Sequence, residues 1–221
     1  MELYTVAEEA LRYLGAGEGA PDSLREQVSE AAKALAAAVR PRYTYKIFDL
    51  DCEEGAFRLR NTDLSLSGET AARMLAQCDQ AVLLACTLGT NFDLRLLAAQ
   101  ARDMARAVIL DACGSALVES GCDAAEAEIA ARFPERYLTD RFSPGYGDLP
   151  LSLQPGICAA LDTGRRLGLH TTESLLLNPV KSVTAVIGLS DRPQMARIRG
   201  CDFCTLRENC ALRRGGKRCA D

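Results

Sequence analysis

The chain has 221 residues, 48% of them hydrophobic and 25% charged, with a formal net charge of −4, which allows one ordinary domain or a domain with a small appendage. No apolar run reaches the roughly 18–20 residues that a membrane-crossing helix needs, so no membrane segment is expected. The first nine residues carry three acids and no basic stretch, unlike a signal peptide, so the expected location is cytoplasmic. Ten cysteines stand against a single histidine, which argues against His-based catalysis and against a multi-His metal site.

Residues 5–15 and 22–40 read as amphipathic helices around a Gly-rich turn. In the second, Leu24, Val28, Ala31, Leu35 and Val39 recur at helical spacing and Pro41 stops the run. Tyr43 to Leu50 alternates as a strand does, and short strands are expected near 56–60 and 63–66. Ser67-Gly68-Glu69 reads as a capped helix start. Residues 80–87 form a near-continuous apolar strand, the pattern of a central strand. Thr90 is a candidate N-cap for the next helix, with Asp93 in its first turn. A long Ala-rich stretch, 103–131, holds Gly114 and Ser115 at positions where neighbours can approach closely. After Pro134 comes a Pro/Gly loop over 139–150, then a helix over about 154–167 and a strand over about 183–189. Mixed strands and helices without strict alternation predict an α+β fold rather than a doubly wound sheet.

Charge and cysteine are both unevenly spread. From Arg192 onward eight basic residues face three acids, which leaves the preceding body at −9. An acidic body argues against broad nucleic-acid binding, which rests on phosphate neutralisation. Cys52, Cys78, Cys86, Cys113, Cys122 and Cys158 lie mostly among Ala, Leu and Val and read as small core residues. Cys201, Cys204, Cys210 and Cys219 instead form a C-x2-C-x5-C-x8-C run. Four thiolates so placed can surround an Fe–S cluster or a zinc ion, or remain unligated redox thiols. Arg207, Arg213, Arg214, Lys217 and Arg218 would offset the negative charge of a tetrathiolate centre or meet an acidic electron donor.

The 139–150 loop is the best small-molecule candidate in the body. Arg141 offers a guanidinium fork for a carboxylate, and Gly145 lets backbone approach a ligand closely. His170 has no nucleophile motif nearby and reads as a surface or loop residue.

Arg141-Phe142-Ser143-Pro144-Gly145-Tyr146, followed about 30 residues on by Glu173-Ser174 and Pro179-Val180-Lys181-Ser182-Val183, resembles the activation (reactivation) domain of cobalamin-dependent methionine synthase, clearest over 107–190. The resemblance implies a C-shaped α+β unit around a twisted, mainly antiparallel sheet. The chain is read as a helical segment at 1–40, an activation-like domain at 41–191 and, outside the resemblance, a Cys-rich metal-binding tail at 192–221. The resemblance also implies binding of S-adenosylmethionine, with Arg141 on the methionyl carboxylate, Ser143 and Gly145 touching the ligand, and Tyr146 at the cobalamin face. Glu119 resembles the helix Glu that holds the ammonium. After Gly145-Tyr146 the chain departs from the family, reading Gly147-Asp148-Leu149-Pro150.

With no cobalamin, folate or homocysteine domain evident in the sequence, the implied role is reductive remethylation of cob(II)alamin on a separate methionine synthase or other corrinoid protein. A flavodoxin- or ferredoxin-type donor would supply the electron. An Fe–S electron carrier or redox sensor, and a zinc-stabilised interaction module, are the alternatives.

Overall fold

The computed structural model describes residues 3–53, 55–194 and 208. Two helices open the chain, α1 (Leu3–Tyr13) and α2 (Asp22–Ala38), followed by strands β1 (Arg42–Glu53), β2 (Ala56–Leu59) and β3 (Ser65–Leu66). Then come α3 (Glu69–Leu75), β4 (Gln80–Thr87), α4 (Thr90–Gln100), the long α5 (Met104–Arg132) and β5 (Tyr137–Leu138). Two short helices, α6 (Gln154–Leu161) and α7 (Thr163–Leu167), lead to a small hairpin of β6 (His170–Thr171) and β7 (Leu177–Asn178), and β8 (Ser182–Ser190) ends the sheet. Six strands form one sheet in the order β3-β2-β1-β4-β8-β5, and every pair in it is antiparallel. The fold is α+β, as the mixed pattern predicts.

β4 shows why its sequence is apolar throughout. Val82, Leu84 and Cys86 point into a core shared with α1, α2, α4 and α5, while Ala81, Leu83 and Ala85 point into a second core under α3, α6 and α7. Both faces are buried, so the polar half of the usual alternation is missing. Full burial of Leu83 and Leu84 contributes about 2 kcal/mol each.

Small residues set how closely α5 lies on its neighbours. A Cβ at Gly114 would sit 2.3 Å from the Phe92 ring of α4, and one at Gly121 would sit 2.6 Å from Cys86 Sγ of β4. The close approach expected around Gly114 is therefore present, and it seats α5 directly on the sheet.

Several expectations are corrected. The stretch 154–167 is two helices, because Asp162 adopts a left-handed conformation (φ 54°) that breaks the run; Asp tolerates that region better than most residues. Gly89, not Thr90, precedes the first turn of α4, and no side chain caps it. Ser67 does not cap α3; that task falls to a distant residue described below. Cys86, Cys113, Cys122 and Cys158 are buried and Cys78 is half-buried, but Cys52 is exposed near the end of β1. His170 is exposed, as expected.

Candidate ligand-binding site

α5 carries Glu119, Asp123 and Glu126 at steps of four and three, which brings their carboxylates to one face. Arg141 enters this face from the segment after β5. Its guanidinium pairs with all three: Nη1 donates to Asp123 Oδ1 at 2.7 Å and to Glu126, and Nη2 donates to Glu119. The arginine side chain is only 6% exposed, whereas those of Glu119 and Asp123 are 37% and 50% exposed. Burial by itself would weaken the guanidinium charge, but the carboxylates of Glu126 and Glu119 outweigh it and hold Arg141 more firmly protonated than usual. Three carboxylates therefore surround one cation, those of Glu119 and Asp123 reaching the surface.

The root of the loop is fixed by β8. Thr139 N–H donates to Gly188 O at 3.0 Å, and Phe142 and Val186 exchange backbone hydrogen bonds of 3.0 and 2.7 Å. Phe142 is buried in the second core, so Arg141 and Phe142 are directed to opposite surroundings by one short stretch of extended chain.

Beyond Ser143 the chain turns tightly. Tyr146 N–H donates to Ser143 O at 3.0 Å, and Gly145 N–H donates to Leu149 O at 2.8 Å. The Gly145 amide is thus spent inside the turn, and any ligand contact at Gly145 falls to its exposed Cα or its carbonyl. Gly147 has φ 59°, and a Cβ there would lie 2.6 Å from Thr70 Oγ1, so this residue must be glycine to let the loop touch α3. Tyr146 stands at the tip, 41% exposed.

Asp148 supplies the missing cap of α3. Its carboxylate accepts from the backbone N–H groups of Glu69 and Thr70, the latter at 3.0 Å, so the first turn of α3 is capped from 78 residues away in the chain. The Thr70 hydroxyl first, and then the Thr70 and Glu69 amides, lower the Asp148 carboxyl from 3.8 to about 2. The departure after Gly145-Tyr146 is therefore a structural tether that holds the loop tip against α3.

The structure brings Arg141 and Glu119 into one cluster and sets Ser143, Gly145 and Tyr146 on the adjoining turn. The sequence reading did not single out Asp123, Glu126 or Asp148. None of the three had a local signal, since their partners lie in other segments of the chain. Tyr13 of α1 was missed too: partial burial and then the Glu119 charge raise its phenol above the ordinary value.

Beneath this face lie Cys86 and Cys122, both fully buried. The neighbouring Cys86 thiol and then burial push Cys122 well above the ordinary thiol range, so it stays a neutral thiol. Among the described residues no group of three or more His, Cys, Asp or Glu side chains is arranged to hold a metal ion. Cys201, Cys204, Cys210 and Cys219 lie outside the described residues. No helix among the described residues is long and apolar enough to cross a membrane.

No family model matches the chain, and no curated protein matches it. Solved structures do. The MetH reactivation domain, in a crystal structure bound to AdoHcy, superimposes with a TM-score of 0.68 over 97% of this chain and 83% of that chain, at 14% sequence identity. The two share a fold.

Proposed function

We propose that the protein binds S-adenosylmethionine at the Arg141 cluster and supports remethylation of an oxidised corrinoid held by a separate protein, a cobalamin-dependent methionine synthase or a relative of it. The observation that carries this reading is a guanidinium surrounded by three carboxylates beside an exposed tyrosine turn. That is the chemistry an amino-acid ligand bearing an additional positive charge requires. The shared fold with a domain solved with AdoHcy supports the same ligand class.

Each residue then has a defined task. Arg141 presents its fork to the ligand's α-carboxylate, which displaces the most solvent-exposed of the three partners, Asp123. Glu119 accepts from the α-ammonium. The remaining negative charge favours the sulfonium and favours release of the neutral thioether that methyl loss leaves behind. Tyr146 offers a flat ring to the face of the incoming corrin. The corrinoid supplies a reduced cobalt that accepts the methyl group, after one electron from a flavodoxin- or ferredoxin-type donor.

Isothermal titration with S-adenosylmethionine and with S-adenosylhomocysteine tests the ligand. Saturable binding that disappears in Arg141→Ala supports it; no binding by the wild type overturns it and leaves an electron carrier or redox sensor as the better reading. Anaerobic incubation with an inactive cob(II)alamin methionine synthase, a reductant and S-adenosylmethionine tests the role through the return of activity. The four-cysteine run is a separate matter that anaerobic purification and metal analysis decide: iron with visible absorbance indicates a cluster, and one colourless zinc per chain a structural site.

A further inference from the structure

Helices α2, α4 and α5 meet around a space that their own side chains leave open. Ala31 and Ala34 face it from α2, and Ala98 and Ala99 face it from α4. Protein interiors are normally filled to near crystal density, and larger apolar residues at these four positions would narrow the gap. A cavity of about 370 Å³ remains instead, within the roughly 300–1,000 Å³ of small-molecule sites. Leu35 forms part of its wall and is buried in the core shared by these helices. An apolar group that enters the cavity therefore touches the core of the fold.

The rim carries positive charge. Arg95 and Arg102 flank the two alanines of α4 at steps of three, and Arg106 comes from the first turn of α5. None of the three guanidiniums has an acidic partner within ion-pair distance among the described residues. Arg95 donates through Nε to Asn91 Oδ1 at 3.2 Å, which leaves its two Nη groups for another acceptor. The one acid of the lining, Asp103, is the N-cap of α5, and its carboxylate accepts from the backbone N–H of Arg106 at 3.1 Å. Three positive charges thus stand against one negative charge, in a body that is otherwise acidic, at −9 before Arg192.

Apolar walls under a rim of guanidiniums suit a ligand that is apolar at one end and anionic at the other. Guanidinium forks match the edges of carboxylates and phosphates, and the apolar end gains by leaving water for the alanines and Leu35. This place is distinct from the Arg141 cluster. Arg106 and Glu119 are thirteen residues apart on α5, roughly 20 Å at the rise of an α-helix.

We infer that the cavity between α2, α4 and α5 binds a small amphipathic anion, its apolar body against the alanines and Leu35 and its phosphate or carboxylate head on the three arginines. The inference stands independently of the reading of the Arg141 cluster.

Titration calorimetry of the full chain with hexyl phosphate, hexanoate and hexanol tests it. Saturable binding of one or both anions is expected, with hexanol weaker by about tenfold or more, and the tighter anion identifies the head group. Arg102→Gln with Arg106→Gln should weaken anion binding by about tenfold or more. Ala98→Leu should weaken it as well, by filling the cavity while every charge is kept. Ala98 is exposed and leucine is a good helix former, so the fold is kept, and the melting temperature checks this. Lys33→Gln removes an exposed charge of α2 outside the lining and should leave binding unchanged. Four results overturn the inference: a wild type that binds neither anion, hexanol that binds as tightly as the anions, binding undiminished in the double arginine variant or in Ala98→Leu, or a loss in Lys33→Gln as large as that in the double arginine variant.

Discussion

Arg141 and Tyr146 lie five residues apart in one loop and are held in opposite ways. The arginine is 6% exposed and tied by three carboxylates, with β8 bonded to the chain on either side of it. The tyrosine is 41% exposed, and its turn is secured by internal backbone bonds and by Asp148 reaching α3. Under the proposed function the difference separates two requirements. A group that recognises a small charged ligand gains from burial, where each ion pair is stronger and the geometry is fixed before binding. A group that must meet the cofactor of another macromolecule has to stay outside, so its position is set by a tether and not by packing.

Arg141→Ala attacks the buried root and has the largest expected effect. Three carboxylates would face one another without their cation, at a cost of about 3 kcal/mol in stability, and S-adenosylhomocysteine affinity would fall by about a hundredfold or more. Denaturant unfolding and titration calorimetry read the two separately. Arg141→Lys should recover most of the stability but little of the affinity, because an ammonium lacks the planar fork; full recovery of affinity would show that only charge matters at the root. Glu119→Gln comes next: it removes one partner of the ligand ammonium and should weaken binding by about tenfold with little loss of stability, since that side chain is already part-exposed.

Asp148→Ala loosens the tip. Its carboxyl titrates from 3.8 down to about 2 in the folded chain, so the wild type gains from the ionised form above roughly pH 4 and loses that gain as pH falls towards 2. The variant should be less stable at neutral pH and should lack this part of the acid loss, which thermal melts between pH 2 and 6 would reveal. The smallest effect on stability belongs to Tyr146→Ala, within about 0.5 kcal/mol for an exposed side chain. Ligand affinity should hold while reactivation of the corrinoid partner falls. Loss of ligand affinity in that variant would erase the distinction between root and tip.

The elements that could be read from sequence are those whose burial is periodic or complete. Val28 and Leu35 of α2 and the whole of β4 carry their environment in their spacing. The split at Asp162 was not legible, because a left-handed residue leaves the apolar pattern on both sides intact. Nor was exposed Cys52, since the chemistry of a thiol is the same in a core and near the end of a strand. Arg141 and Tyr146 entered the candidate site through the motif around them. The acids that complete it were not legible, because nothing local marks Asp123 and Glu126 as partners of a residue 15 or more positions later.

Sequence alone determined the α+β class, the central strand and the long small-residue helix. All of these follow from the residue types and from their spacing at helical or strand periods. Only the tertiary structure decided that Arg141 is buried among acids, that Asp148 caps a helix 78 residues earlier, and that Gly121 of α5 lies against Cys86 of β4. Those three depend on contacts between distant segments, whose energies arise only when the sheet brings the segments together.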